Sequence, residues 1–163
     1  GGNGVEFGIQ LSGTGNRWYT APAPVIHGML LKPSYTEEDL LGYLGDSCVT
    51  EVYGLGGMSS IAGPAYARFT GATFAEAKER TEKARAVSLG EHTFAPIPWD
   101  EYRGFPVGID ARKVVGYNIL PISHGGSALK TGGQAGAGAA ELPLECFREA
   151  LRGIRDEALR KQQ

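Results

Sequence analysis

The chain opens with a regular alternation of apolar and polar residues. Apolar side chains occupy every second position over residues 5–11. A period of two predicts a half-buried β-strand. Residues 12–16 then indicate a tight turn, and residues 25–31 predict a second strand. Pro22 and Pro24 lie between the two strands and argue against a central strand at that point.

Helix signals occur in three segments. An acidic start predicts a short helix over residues 36–44. A capping box made by Thr73 and Glu76 predicts a helix over residues 73–89. Its solvent-facing side would carry the i,i+4 pairs Glu76–Arg80 and Glu79–Lys83. Pro143 fits the first position of a last helix, which has an apolar seam at Leu144, Phe147, Leu151, Ile154 and Ala158.

The middle of the chain has shorter elements and more glycine and proline. Residues 48–53 indicate a strand. The glycines of 54–57 follow it and precede a predicted helical segment at 58–62 that has mostly small side chains. Three prolines predict irregular structure over 92–106. Residues 107–109 and 114–122 read as strands, and a glycine-rich stretch follows.

Strands and helices are mixed without a steady βαβ rhythm. We therefore predict an α+β fold, with a mixed sheet and a few packed helices in a single domain.

Glycine is unusually common, with 25 of 163 residues, about twice the usual share of roughly 7%. The glycines cluster at 1–15, 54–57 and 125–138. Such clusters indicate special backbone angles or a close approach of the backbone to another group. Disorder is a weaker explanation, because the clusters lie between strongly apolar segments.

Charge and cysteine content exclude several classes of function. A net charge of -2 gives no electrostatic case for binding nucleic acid or an anionic membrane, and no apolar run reaches the roughly 18 residues of a membrane helix. The three histidines have no metal-ligand spacing, and we predict neither a metal nor a cofactor. Without a CxxC pair, Cys48 and Cys146 are predicted to be reduced, buried thiols of a cytoplasmic protein.

The glycine segment 54–57 is the first candidate site. Glycines before a helix let backbone N–H groups point at an anion, and the helix dipole adds positive potential. Gly56, Gly57 and Ser59 would then bind phosphate or carboxylate, with Glu51 placed just before them. The alternative is a tight strand-to-helix turn that binds no ligand.

Three further residue groups could carry chemistry. Arg17, followed by aromatic residues and Thr20, could hold a carboxylate through its guanidinium fork, or it could cap carbonyl groups. Asp110 and Arg112 would share one strand face, either as an anion site or as a structural ion pair. His124, in a predicted glycine loop, could act as a base or could be a surface residue.

Several runs of residues together resemble a known family. They are the run GVEFGI at 4–9, RWYTAPAP at 17–24, GDS at 45–47 with TE at 50–51 and GLGG at 54–57, GIDARKVV at 108–115, and GAG at 136–138 before PLECF at 143–147. This set is similar to the AllG-type subunits of oxamate carbamoyltransferase. The resemblance covers nearly the whole chain, to about position 154.

The resemblance implies a reaction and a larger assembly. The family exchanges carbamoyl phosphate and oxamate for oxalurate and phosphate in allantoin degradation, with other subunits. Its members are longer, so residues 1–163 are expected to be a single C-terminal domain of a multidomain or split protein.

Physical reasoning then assigns the roles within such a reaction. Glu51, Asp110 or His124 would move a proton, and Arg17 or Arg112 would hold the oxamate carboxylate. Two other readings remain open: a non-catalytic assembly domain and a cyclic-amide hydrolase.

Overall fold

The strands form three antiparallel sheets within residues 1–45 and 48–162, the part of the chain that the computed structural model describes. The first sheet contains β1 (Gly2–Asn3), β2 (Glu6–Ile9), β3 (Tyr19–Pro22) and β5 (Leu44–Gly45), in the order β3-β2-β1-β5. The second contains β4 (His27–Leu30), β8 (Ile122–Ala128) and β9 (Gln134–Glu141), in the order β4-β9-β8. The third is a hairpin of β6 (Ser88–Ile97) and β7 (Arg103–Ile109).

The helices lie between and beside these sheets. They are α1 (Cys48–Tyr53), α2 (Pro64–Phe69), α3 (Phe74–Val87), α4 (Ala111–Tyr117) and α5 (Leu144–Arg160), with 3₁₀ helices at Glu37–Asp39 and Gly57–Ala62. The predicted α+β class is confirmed. Within the described residues, no helix has both the length and the apolar character needed to cross a membrane.

The main core joins the first and second sheets to three helices. Its buried members come from β2, β9, α3, α4 and α5, among them Phe7, Val87, Val114, Ala140 and Phe147. Phe7 also packs edge-on against Tyr43, with ring centroids 5.7 Å apart. Both cysteines are free thiols, as predicted; Cys146 is buried and Cys48 only partly so.

The strongest local sequence signals are confirmed. β2 lies within the predicted strand at 5–11, and β4 within 25–31. α3 begins after Thr73, whose side chain accepts a hydrogen bond from the backbone N–H of Glu76, while the Glu76 carboxylate accepts one from the N–H of Thr73. The predicted helix at 36–44 is shorter than expected, because only a 3₁₀ turn at Glu37–Asp39 forms.

Two of the predicted strands are wrong. Residues 48–53 form α1, and residues 111–117 form α4, so the next strand begins only at Ile122. Both segments are rich in β-branched residues, which favour strands only weakly and are overridden by tertiary context. In α4, the side chain of Asp110 caps the helix by accepting a hydrogen bond from the backbone N–H of Arg112.

The segment at 92–106 was predicted to be irregular and instead forms most of the β6–β7 hairpin. A two-stranded sheet has only edge strands, which tolerate proline. The hairpin is fixed to α3 through Arg85, whose side chain is 5% exposed and pairs with Asp100 at 2.5 Å and with Glu82 at 2.6 Å. Burial of this cation between two carboxylates explains how a proline-rich segment is held in place.

The glycine-rich stretch at 125–138 was expected to be a loop and forms the paired strands β8 and β9. Its glycines allow the sheet to pack very tightly. A Cβ atom on Gly138 would lie 2.1 Å from the carbonyl oxygen of His27, and one on Gly136 would lie 2.0 Å from that of Met29. The prediction that these glycines allow a close backbone approach is therefore confirmed, although the neighbour is the protein's own strand β4.

Candidate functional site

Glu51 is the buried acid of α1 and lies at the centre of the candidate site. The residue is only 4% exposed. Its Oε2 accepts a hydrogen bond of 2.6 Å from the backbone N–H of Gly57, and its Oε1 accepts one of 3.0 Å from the backbone N–H of His124. One carboxylate therefore ties α1 to the glycine segment and to β8. We call Glu51, Gly57, Ser60, Ser123 and His124 the Glu51–His124 cluster.

The glycine segment is shaped around this carboxylate. Gly56 has a φ of 100°, and a Cβ atom there would lie 2.2 Å from Oε1 of Glu51. The following 3₁₀ helix has only six residues and is interrupted by non-helical angles at Ser59, whose hydroxyl bonds to the Gly54 carbonyl. The Gly57 N–H that was expected to face a phosphate faces Glu51, so an anion there would have to displace the Glu51 carboxylate.

His124 lies in β8 rather than in the predicted loop, and it is 5% exposed. Its Nε2 is 3.4 Å from the Ser60 hydroxyl, which donates its hydrogen to the Gly57 carbonyl at 2.7 Å. Because that hydroxyl has only one hydrogen, Nε2 must be the donor to Ser60. The lone pair then resides on Nδ1, which is buried and has no hydrogen-bond partner among the described residues.

Burial shifts the pKa of Glu51 upward and the pKa of His124 downward. Removal from water raises the pKa of Glu51 to about 7, although backbone N–H groups of His124, Gly57 and Met58 partly oppose the shift. Burial also lowers the pKa of His124 to about 4, with a contribution from the positive charge of Arg80. At neutral pH the imidazole is therefore uncharged, and Glu51 can either hold or release a proton.

An open cavity of about 270 Å³ adjoins the cluster. It is lined by His124, Gly56, Ser59, Ser60, Tyr66 and Phe105. The ring of Tyr66 packs against that of His124, with centroids 5.3 Å apart. A buried acid that titrates near pH 7, next to a neutral histidine and a cavity, is an arrangement suited to proton transfer.

The predicted carboxylate site at Arg17 and Thr20 lies in a different part of the fold. Both residues are exposed. Thr20 lines a cleft together with Trp18, Gly8 and Val49, between the first sheet and α1. The structure therefore separates these two residues from the cavity that His124 lines.

Asp110 and Arg112 are paired with each other. The guanidinium group of Arg112 donates to both Asp110 oxygens, at 3.0 and 2.7 Å, and these hydrogen bonds hold the pKa of Asp110 down at about 2. The Arg112 side chain is 78% exposed. The two residues are not on one strand face, as was predicted, because Asp110 caps α4 and Arg112 lies in its first turn. A capping ion pair accounts for both side chains.

Of the nine residues proposed from the sequence, the structure brings five together: Glu51, Gly56, Gly57, Ser59 and His124. Sequence reasoning missed Ser123, which belongs to the cluster, and Tyr43, whose hydroxyl group lies 2.7 Å from that of Ser123. No local pattern marks them, because they meet only through long-range packing. Asp46 and Ser47, which belong to one of the family motifs, lie outside the described residues.

Comparison with known proteins supports the family resemblance. Residues 1–47 match the family model of the oxamate carbamoyltransferase subunit AllG. The chain is 37% identical over 93% of its length to the oxamate carbamoyltransferase subunit AllG of Escherichia coli strain K12. It is also 37% identical over 93% of its length to the uncharacterized protein YahG of the same organism.

A solved structure shares the fold. It is the crystal structure of a conserved protein of unknown function from Enterococcus faecalis V583, with a TM-score of 0.90 and 38% identity over 95% of this chain. The chain spans 37% of AllG, 32% of YahG and 38% of the Enterococcus protein. The resemblance to AllG-type subunits is thus confirmed, while the C-terminal position of the matched part stays a prediction.

Proposed function

We propose that this chain is part of an oxamate carbamoyltransferase, in which the Glu51–His124 cluster handles the proton of the reaction. The observation that carries the proposal is the buried Glu51 carboxyl group, which accepts a hydrogen bond from the backbone N–H of His124, a residue that lines an open cavity. It occurs in a chain that is similar over 93% of its length to a subunit named for that activity.

The reaction requires a proton acceptor near neutral pH. The amide nitrogen of oxamate attacks the carbamoyl carbon of carbamoyl phosphate, a C–N bond forms, and the C–O bond to phosphate breaks. The attacking nitrogen loses one proton. Glu51, with a pKa of about 7, can accept that proton and later release it to solvent.

His124 complements this role. Because its imidazole is neutral, His124 places no positive charge beside Glu51, so it does not oppose the raised pKa of about 7 that suits Glu51 to proton transfer near neutral pH. Donors aimed at the carbamoyl oxygen and the leaving phosphate would supply the remaining stabilisation. Ser59, Gly56 and Gly57 are the nearest candidates, and Arg17, Thr20, Asp110 and Arg112 remain proposals at more distant positions.

A non-catalytic assembly role is favoured by a different observation. The exposed rings of Tyr53 and Phe94 flank the half-buried ring of His92, with centroids 4.7 and 4.9 Å apart. Exposed aromatic side chains of this kind are typical of surfaces that pack on another protein unit. In that case, the hydrogen bonds of Glu51 would serve only to anchor α1.

Phosphate release distinguishes the two functions. The complete enzyme that contains this chain is incubated with carbamoyl phosphate, with and without oxamate, and phosphate and oxalurate are measured. We expect phosphate release to rise with oxamate and to match oxalurate formation one for one. Pyruvate, which has a methyl group in place of the NH₂ group of oxamate, serves as the control and should give no rise above the enzyme-free rate. Equal release with oxamate and with pyruvate would reject the carbamoyltransferase.

A further inference from the structure

Arg80 of α3 has a guanidinium group that is only partly satisfied. Its Nη1 is buried and has no hydrogen-bond partner among the described residues. Glu76, one turn earlier, is within electrostatic reach but accepts hydrogen bonds from the N–H and hydroxyl groups of Thr73, both at 2.7 Å. Lys83 and Glu79 pair with each other at 2.6 Å. The charged residues along this face of the helix therefore leave Arg80 without a direct ion pair.

A buried N–H donor with no acceptor is unfavourable, and more so when it carries charge. Because Nη1 is closed to solvent, a ligand with acceptor oxygens would remove that cost only if the guanidinium group turns toward open space on binding. The planar guanidinium fork matches the two oxygens of a carboxylate or of a phosphate. Arg80 is therefore suited to recognise a small anion.

Two open clefts of about 470 Å³ each meet at Arg80. Leu120, Ile122 and the exposed acid Glu141 line both clefts as well. A cation and an acid thus border the same space, with apolar side chains beside them. This combination fits a ligand with a carboxylate at one end and an N–H donor at the other.

The charge balance of the first cleft favours a monoanion. Two cations and three acids line it: Arg80, Lys83, Glu76, Glu79 and Glu141. A phosphate dianion would be repelled by the surplus of acids. A single carboxylate can pair with Arg80 while a neutral amide faces Glu141, so no like charges need to meet.

We propose that Arg80 and Glu141 bind a small monocarboxylate that carries an amide group, with the carboxylate on Arg80 and the amide N–H on Glu141. This inference rests on the proposed function, in which oxamate is such a molecule. It assigns the oxamate carboxylate to Arg80 in place of Arg17 or Arg112.

The proposed site is electrostatically linked to the Glu51–His124 cluster. The positive charge of Arg80 reaches His124 and helps to keep its imidazole neutral. A carboxylate bound to Arg80 would offset that charge. The imidazole of His124 is therefore expected to titrate at higher pH when oxamate is bound, which NMR of the histidine ring can detect without any turnover.

Binding of oxamate and pyruvate to the complete chain, measured by calorimetry or NMR titration, tests the site. Pyruvate has the carboxylate but lacks the N–H group. We expect oxamate to bind about tenfold more tightly than pyruvate, and Arg80→Met to weaken both by at least about tenfold, as loss of a charge-assisted hydrogen bond predicts. Glu141→Leu should remove only the preference for oxamate. Lys78→Met, which removes an exposed cation of the same helix that lines neither cleft, is the matched control and should stay within about twofold of wild type.

Folding of the variants is checked by their thermal unfolding midpoints. Arg80→Met should unfold at or above the wild-type temperature, because the lost Nη1 has no partner. Arg80→Lys, which keeps the charge but removes the fork, provides a second variant and should also weaken oxamate binding. Unchanged oxamate affinity in a folded Arg80 variant, or no oxamate binding to the wild-type chain, would overturn the inference.

The two proposals fail separately. Oxamate-dependent phosphate release that persists in Arg80→Met with an unchanged KM for oxamate would reject the Arg80 site and leave the carbamoyltransferase in place. Arg80-dependent oxamate binding without any oxamate-dependent phosphate release would support the site and reject the transferase.

Discussion

Replacing Glu51 by alanine is expected to lower the free energy of unfolding by about 3 kcal/mol near pH 6, since two buried N–H groups lose their acceptor at roughly 1–3 kcal/mol each. The two donors are the backbone N–H groups of Gly57 and His124, at 2.6 and 3.0 Å from the carboxylate. Urea unfolding gives the measurement, with Trp18 and Trp99 as fluorescent probes. Trp99 donates to the Ile61 carbonyl beside the glycine segment and so reports on this region.

Two companion variants separate this effect from the loss of a glutamate as such. Glu79→Ala removes an exposed acid paired with Lys83 and should cost no more than about 1 kcal/mol. Glu51→Gln keeps one acceptor oxygen but turns an amide NH₂ toward the other N–H donor, so its cost should lie between the two. If Glu51→Ala proved as stable as Glu79→Ala, the anchoring role of Glu51 would be wrong.

The second large effect concerns the pH dependence of stability. Glu51 has a pKa of about 7 in the folded chain against an ordinary 4.5, so the stability it contributes is present below pH 4.5 and is lost as the pH rises through 7. His124 has a folded pKa of about 4 against an ordinary 6.5, so its contribution grows as the pH rises from 4 to 6.5. Over the shared window from 4.5 to 6.5 the two slopes oppose each other.

If Glu51 or His124 is replaced, the pH dependence of stability due to the remaining residue should become measurable. Relative to wild type, His124→Gln is expected to lose about 1.4 kcal/mol of unfolding free energy per pH unit across this window, and Glu51→Gln to gain about as much. The other titrating groups are common to all three proteins and cancel in the differences. Urea unfolding at intervals across the window gives the slopes. Variants whose slopes both match wild type would show that neither group titrates as described.

Much of the architecture could be predicted from local sequence signals. The alternation at 5–11, the capping box of Thr73 and Glu76, and the apolar spacing of the last helix each correspond to an observed element. These signals succeed because the hydrogen bonds or apolar contacts that they require lie within a few residues or along one face.

The errors occur where distant residues decide the structure. The β-branched segment at 48–53 forms a helix that buries Glu51 against Gly57 and β8, a partnership that spans 73 positions in the case of His124. The glycines of 125–138 form strands because β4 packs closely against them. Neither neighbour is visible in a local window, so propensity and composition indicated the wrong structures.

The candidate site was also predicted correctly in part, where residue type and motif were sufficient, and incorrectly where distant contacts decide the geometry. Glu51, His124 and the glycine segment were predicted from residue type and motif, but the sequence placed a phosphate where the Gly57 N–H instead meets Glu51. The sequence also indicated that Arg17 or Arg112 binds the oxamate carboxylate. In the structure, Arg17 is exposed and Arg112 is paired with Asp110. Arg80 was read only as the partner of Glu76, because its buried Nη1 becomes apparent only after α3 packs in the fold.

The close contact between Gly57 and β8 also limits how the glycine segment can be tested. A Cβ atom on Gly57 would lie 2.5 Å from the Ile122 carbonyl oxygen. A Gly57→Val change would therefore disturb the contact with β8 as well as any ligand, and loss of binding could not be assigned to either. Changes at Glu51 that keep its shape are the cleaner probe of the same region.

The most direct measurement is the kcat for oxamate-dependent phosphate release in the complete enzyme at pH 7.5, comparing wild type, Glu51→Gln and the control Glu38→Gln, which changes an exposed acid that lines none of the clefts described above. Removing a proton-transfer group costs roughly 10²–10⁴-fold. We therefore expect kcat to fall at least about 100-fold in Glu51→Gln and to stay near wild type in the control. A folded Glu51→Gln enzyme whose kcat stays within about threefold of wild type would contradict the account, because the buried carboxyl group would then be an anchor and not a participant in the chemistry.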